Sequence, residues 1–167
     1  MKNSKRIVAF ILAAILTAAS ASCIAFAGDI DYSQWNSQAN YPQDIVGTPL
    51  FTSVKYLIDH KILTGYPDGT FKPDNTITRA EVAVALAKAT NRTSNLEAMA
   101  NKNTFQDLSG YDWAKGYIYT VADAGIFKGI SGASYAPGKN ISYAELITAL
   151  VRMNPSAASV VESSGTW

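Results

Sequence analysis

Two stretches of the chain set apolar residues at helical spacing behind the same kind of opening. In the first, Val82, Ala85, Leu86 and Ala89 recur at intervals of three and four behind Thr78-x-x-Glu81. Ser or Thr followed three residues later by Glu is a capping box, in which each side chain satisfies an orphan N–H of the helix's first turn. In the second, Ser142-x-x-Glu145 opens a run that carries Leu150 where the first carries Leu86. Each is preceded by another stripe, Val54, Leu57, Ile58 and Ile62 in one case and Ile118, Val121 and Ala122 in the other. Thr48-Pro49 predicts a cap with proline at the first helical position, Asp112 the cap of the other helix, and Gly125 its end. Between the helices of the first pair lie two bends, Pro67-Asp68-Gly69 and Pro73-Asp74-Asn75, with Phe71 as an apolar anchor between them. Two helices per unit, joined by long turn-rich loops, predict an all-α fold.

The two units are copies of one plan. At an offset of 64, Gly65 falls on Gly129, Phe71 on Tyr135, Pro73 on Pro137, Ile77 on Ile141, Ala80 on Ala144 and Glu81 on Glu145. Upstream, Tyr41 falls on Phe105, Val54 on Ile118, Leu57 on Val121, Asp59 on Asp123 and Ile62 on Ile126, with no gap needed. Repeats of this size are supersecondary units that stack to bury a shared apolar face. The divisions expected are 41–103 for the first repeat and 104–154 for the second. Ser94-x-x-Glu97 predicts a short helix in the polar stretch between them, and a Ser/Ala-rich tail follows at 155–167.

The first 27 residues belong to a different grammar. Lys2, Lys5 and Arg6 precede an apolar run from Ile7 to Ala19, and Ala25-Phe26-Ala27 supplies small residues for cleavage. This reads as a secretory signal peptide; crossing a bilayer needs about 20 apolar residues. Cys23 opens a second route, lipid attachment, although Ser20 stands where such a site prefers Leu. Cleavage after Ala27 would remove the only cysteine and three cations, leaving 11 basic against 13 acidic residues. Such a product has no disulfide, no thiol nucleophile and no electrostatic case for nucleic acid. Residues 28–40 are polar with isolated Tyr32 and Trp35, and read as a linker or arm.

The run Thr64-Gly-Tyr-Pro-Asp-Gly-Thr-Phe-Lys-Pro-Asp-Asn-Thr-Ile-Thr-Arg-Ala-Glu81 resembles the signature of S-layer homology domains, and Phe105-x-Asp107 with Trp113 resembles the family's opening. The resemblance covers about residues 41–154. It implies tandem helix–loop–helix repeats in a partial pseudo-threefold bundle, secretion, and a place at the cell wall or S-layer. It implies non-catalytic anchoring through acidic, often pyruvylated, secondary cell-wall polysaccharide held in grooves between repeats. The family's groove positions fall here on Arg79 and Gly65, with Trp113 from the neighbouring repeat's opening and Tyr66 as a further flat face for a sugar. A guanidinium is a planar fork suited to a carboxylate, and the first turn of a helix favours an anion. The second repeat carries Tyr143 where Arg79 stands in the first, so its groove would lack that cation. Pro49 stands where the opening tryptophan usually sits.

Other chemistry finds little support. Glu81 and Glu145 could be a catalytic carboxylate pair, but both already serve as capping residues with Thr78 and Ser142. His60 is the sole histidine and lacks metal or nucleophile partners. Asp68, Asp74 and Asn75 are explained by turn formation, and the calcium-loop spacing is absent. No catalytic residue, metal or cofactor is expected, and no transmembrane segment after signal cleavage. The alternative class is a structural protein that completes its bundle by self-association or with other chains carrying such repeats.

Overall fold

Each of the predicted capping boxes does start a helix in the computed structural model, which describes residues 41–154. The signal-peptide, arm and tail readings (1–27, 28–40 and 155–167) and the Cys23 question lie outside those residues. Among the described residues five helices run in order: α1 Phe51–Asp59, α2 Arg79–Ala89, α3 Leu96–Ala100, α4 Asp112–Asp123 and α5 Tyr143–Arg152. Among the described residues there is no strand, only an isolated bridge between Thr78 and Asn140. The fold is all-α, built of helix–loop–helix repeats.

The chain forms two compact units, one up to Asn75 and one from Thr76 onward. In the first, α1 buries Phe51, Val54 and Leu57, and Tyr41 meets Phe51 edge-on at 5.7 Å. The helix begins at Phe51 rather than at the predicted Pro49. Thr48 explains the delay: its hydroxyl donates to the Ile45 carbonyl at 2.7 Å and accepts from Leu50 N–H at 3.3 Å, closing a turn before the helix. The far end closes when the N–H groups of Ile62 and Leu63 both return to the Leu57 carbonyl.

The second unit takes α2 from the first repeat and everything after it. Ala80, Val82, Ala83, Ala85, Leu86 and Ala87 are all buried, so α2 is covered on most of its circumference. Helix α4 packs against both α2 and α3. Its contact with α3 is close enough that a side chain at Gly116 would overlap the Leu96 carbonyl. Tyr111, not Asp112, is the N-cap of α4, and Gly125 follows its end with φ 71°. Helix α5 buries only Leu146 and Ala149. Because α2 docks on second-repeat loops, sequence repeats and compact units divide the chain at different places.

The gap-free alignment of the repeats needs one correction. Upstream of α1 the equivalent residues are 63 apart. Asp44 and Asp107 cap matching turns, Ile45 and Leu108 are both buried, and Gly47 and Gly110 both have positive φ. Downstream they are 64 apart, since Leu57 and Val121 are the carbonyls on which the two helices end. One extra residue therefore sits in the first half of α4. Pro42, rather than Tyr41, is the counterpart of Phe105: each lies against the glycine of its own repeat, Gly65 or Gly129.

Candidate functional site

The repeated loop is organised by a carboxylate. Asp107 accepts from the N–H groups of Tyr135 (2.9 Å) and Ala136 (2.8 Å) and from the Ser134 hydroxyl (2.5 Å). Asp44 does the same for Phe71 (2.9 Å) and Lys72 (2.7 Å). These bonds hold Lys72 and Ala136 at φ 52° and 57°, a left-handed conformation that non-glycine residues rarely adopt unaided. Burial works against the charge of Asp107, but the Ser134 hydroxyl and the Tyr135 and Ala136 N–H groups outweigh it, and the carboxyl lies below its usual range. The sequence signal for Asp44 was Pro42-x-Asp44 set against Phe105-x-Asp107, hidden by the register slip.

Past the left-handed residue, Pro73 and Pro137 turn the chain. Asn75 N–H closes on the Lys72 carbonyl at 2.9 Å and Lys139 N–H on Ala136 at 3.1 Å. Helix starts follow. Thr78 (φ −82°, ψ 161°) and Ser142 (φ −84°, ψ 159°) adopt the same N-cap conformation, and each completes a reciprocal box with Glu81 or Glu145.

Around Arg79 the two expectations built on an open cation are corrected. Arg79 is only 2% exposed. Its Nε donates to the Tyr135 carbonyl at 2.8 Å, Nη1 to Glu145 Oε1 at 2.8 Å and Nη2 to the Lys128 carbonyl at 2.9 Å. The guanidinium lies 4.4 Å from the centre of the Phe127 ring and 4.9 Å from that of Tyr135. The helix start beside it is filled as well: Arg79 N–H donates to the Lys139 carbonyl (2.9 Å) and Ala80 N–H to Pro137 (3.0 Å). Arg79 thus ties α2 to the second repeat's loop, and it presents no free fork to a ligand. Glu145 feels burial first, which opposes its charge; Ser142, Arg79 and Lys139 overcome it and hold the carboxyl below the usual range.

The remaining candidates lie apart from Arg79's bonds. In the first unit, Gly65 has φ 73° and begins the turn in which Tyr66 N–H meets the Thr70 carbonyl at 2.8 Å. Tyr66 follows it, 40% exposed. The Lys72 ammonium stands 4.5 Å over its ring and 2.6 Å from Asp68. That pairing holds the Asp68 carboxyl down to about 2, with the Lys72 bond the largest cause and Thr70 next. Lys72 is the cation that sequence reasoning missed here; only its position beside Phe71 in the turn could have pointed to it. In the second unit Trp113 is 56% exposed at the start of α4, its ring 6.5 Å from that of Tyr111. At the counterpart of Gly65, Gly129, a side chain would run into Phe105 at 2.6 Å. Space rather than φ requires glycine there. Among the described residues no group of His, Cys, Asp or Glu could hold a metal, and no helix is long and apolar enough to cross a membrane.

The S-layer homology domain model matches residues 44–83 and 104–147. The chain is 35% identical over 101 residues to a cellulosome-anchoring protein of Acetivibrio thermocellus, covering 60% of this chain and 22% of that one. It is 30% identical over 147 residues to S-layer protein EA1 of Bacillus anthracis, covering 88% of this chain and 15% of that protein. A middle cell wall protein of Brevibacillus brevis is 32% identical over 100 residues, 60% of this chain and 10% of the relative. The chain therefore spans a tenth to a little over a fifth of the length of these relatives. No solved structure matches it. Two family matches, each running from a turn-capping aspartate or just before it into a boxed helix, place this chain in the S-layer homology domain family, whose modules are non-catalytic anchors of the cell envelope.

Proposed function

We propose that this chain fixes itself non-covalently to acidic secondary cell-wall polysaccharide after secretion. The observation that carries the reading is the family match over both repeats. Its relatives, a cellulosome-anchoring protein and a middle cell wall protein among them, support it. Within the first repeat, Gly65, Tyr66 and Lys72 are the contacts that the geometry favours. Tyr66 offers a flat ring to a sugar face, as aromatic side chains do with their apolar surfaces. Lys72 holds a positive charge over the same ring, where a carboxylate or ketal on the sugar would compete with Asp68. Trp113 is a second exposed aromatic for the same class of ligand. Arg79 contributes by holding the α2 start in place rather than by touching the glycan. No bond is made or broken in this function.

Sedimentation of the protein with purified wall sacculi tests the reading. Retention is expected on intact walls and lost on walls stripped of their non-peptidoglycan polymer. Tyr66→Ala and Lys72→Glu are expected to lower retention severalfold with the fold intact, because both side chains are exposed. Equal retention by stripped walls would overturn the proposal.

A further inference from the structure

The first repeat's turn carries a charge that its folding does not need. Asp68 divides its carboxylate between two tasks. Its Oδ1 accepts from the Thr70 N–H at 3.1 Å and from the Thr70 hydroxyl at 2.5 Å, which closes the turn behind Tyr66. Its Oδ2 lies 2.6 Å from the Lys72 ammonium, which itself stands 4.5 Å over the Tyr66 ring. The second repeat shows which task the turn requires. There the Ser131 hydroxyl accepts from Ser134 N–H at 3.1 Å. Ile130 N–H meets the Ser134 carbonyl at 2.9 Å, as Tyr66 N–H meets that of Thr70 at 2.8 Å, and Ala136 keeps the left-handed φ of Lys72. Yet Ile130, Gly132 and Ala136 stand where the first repeat has Tyr66, Asp68 and Lys72. A like turn thus closes on a neutral oxygen, and there the ring, the anion and the cation are absent together.

Resting on the wall-binding function proposed for this chain, we infer that Asp68 determines its specificity: the Asp68 carboxylate holds the place on Lys72 that a sugar carboxylate takes, and so admits only ligands that also lay an apolar ring face on Tyr66. The exchange replaces one carboxylate by another on the same ammonium. Both side chains of the resident pair are exposed, 39% for Lys72 and 52% for Asp68, and ion pairs in such settings contribute little. Swapping one pair for the other therefore gains almost nothing, and the surplus comes from the sugar face against the aromatic ring. An anion without that face meets a cation already satisfied. The Lys72 backbone does not have to move, since its N–H is held by Asp44 at 2.7 Å. The exchange turns only side chains, which keeps the ordering cost low.

Asp68→Ser separates the two tasks, because a serine hydroxyl still accepts from the N–H two residues on in such turns while the charge is gone. Its retention on intact wall sacculi is expected to rise about twofold to fivefold over the parent chain, the range that releasing an exposed ion pair allows. Binding to polyglutamate, which presents carboxylates on no sugar ring, is expected to rise by a larger factor, so the ratio of wall binding to polyglutamate binding falls. In a chain that already carries Lys72→Met, Asp68→Ser is expected to change neither. Wall retention no higher than the parent's, a ratio that does not fall, or the same gain in the Lys72→Met background each overturns the inference. The polyglutamate arm contains no wall polymer. Failure of the wall-binding function, seen as equal retention by stripped walls, is therefore read apart from failure of this role for Asp68.

Discussion

The starts of α2 and α5 are one sequence idea in two surroundings. Thr78-Arg79-Ala80-Glu81 and Ser142-Tyr143-Ala144-Glu145 share N-cap angles within a few degrees and the same reciprocal cap. Yet Arg79 and Ala80 are buried whereas Tyr143 and Ala144 are exposed. The difference lies in what stands opposite Arg79, a second-repeat turn whose carbonyls take its donors and whose rings lie against it. Local sequence decides that a helix begins; the neighbouring repeat decides whether that beginning is a joint or a surface. An arginine at the second position of such a motif is therefore a structural cation when a turn covers it, because its three nitrogens then each make a hydrogen bond and two aromatic rings lie against it.

The sharpest way to break the comparison is to remove each second-position side chain. Arg79→Ala leaves the Tyr135 and Lys128 carbonyls without that donor, takes from Glu145 the nearer of its two cations and opens a void against the Phe127 and Tyr135 rings. Breaking one side of a buried ion pair costs about 3–5 kcal/mol, and urea denaturation of the second unit is expected to show a loss of that size. Tyr143→Ala, at an exposed site, is expected to change stability by no more than about 0.5 kcal/mol. Equal losses would mean that the two starts are equivalent after all. Any fall in wall binding by Arg79→Ala should then track the unfolded fraction, and disappear at temperatures where the variant is fully folded.

The two turn-capping aspartates extend the comparison to pH. Asp107 serves two N–H groups and a hydroxyl in a partly buried setting, and hydrogen bonds to a charged group contribute about 1.5–3 kcal/mol. Asp107→Ala is expected to cost about that much or more, and Asp44→Ala less, since Asp44 holds its turn in an exposed place. The folded carboxyls of Asp107 and Glu145 both lie below their ordinary values. Their contribution is complete above the unfolded carboxylate range, about pH 4, and is lost as pH falls through the folded values. Melting temperature should therefore drop on acidification below about pH 4, and Asp107→Ala should flatten that drop.

The existence of the helices, both capping boxes and the turn residues themselves were legible because each shows in residues within four or five positions of one another, although α1 begins two residues later and α4 is capped one residue earlier than predicted. Thr78 and Glu81 needed no partner beyond their own turn. The misread parts depend on long-range contacts. Whether Arg79 faced solvent or Glu145 could not be settled by residues 66 positions away in sequence. Asp44 was missed because one added residue in α4 shifted it out of register with Asp107. Lys72 was missed because its place over Tyr66 follows from a left-handed φ that Asp44 imposes. Local chemistry survives reading in one dimension, and burial does not.

One expected effect has the opposite sign. Tyr135 is fully buried beneath Arg79, with Phe127 edge-on at 5.8 Å and Phe105 at 5.3 Å. Its hydroxyl has no hydrogen-bond partner among the described residues. Burial pushes that phenol's pKa upward, so it stays neutral through the working range and gains nothing from ionising beside Arg79. A buried hydroxyl without a partner costs about 1–3 kcal/mol. The first repeat already carries the unhydroxylated ring at this position, Phe71. Tyr135→Phe keeps the ring surface on which the guanidinium lies and removes only the unpaired oxygen. It is expected to raise stability by about 1 kcal/mol in urea titration, with no change in wall retention. A loss of stability would mean that the hydroxyl has a partner, a bound water being the chemistry that fits such a site, and that the second repeat keeps its tyrosine for that bond.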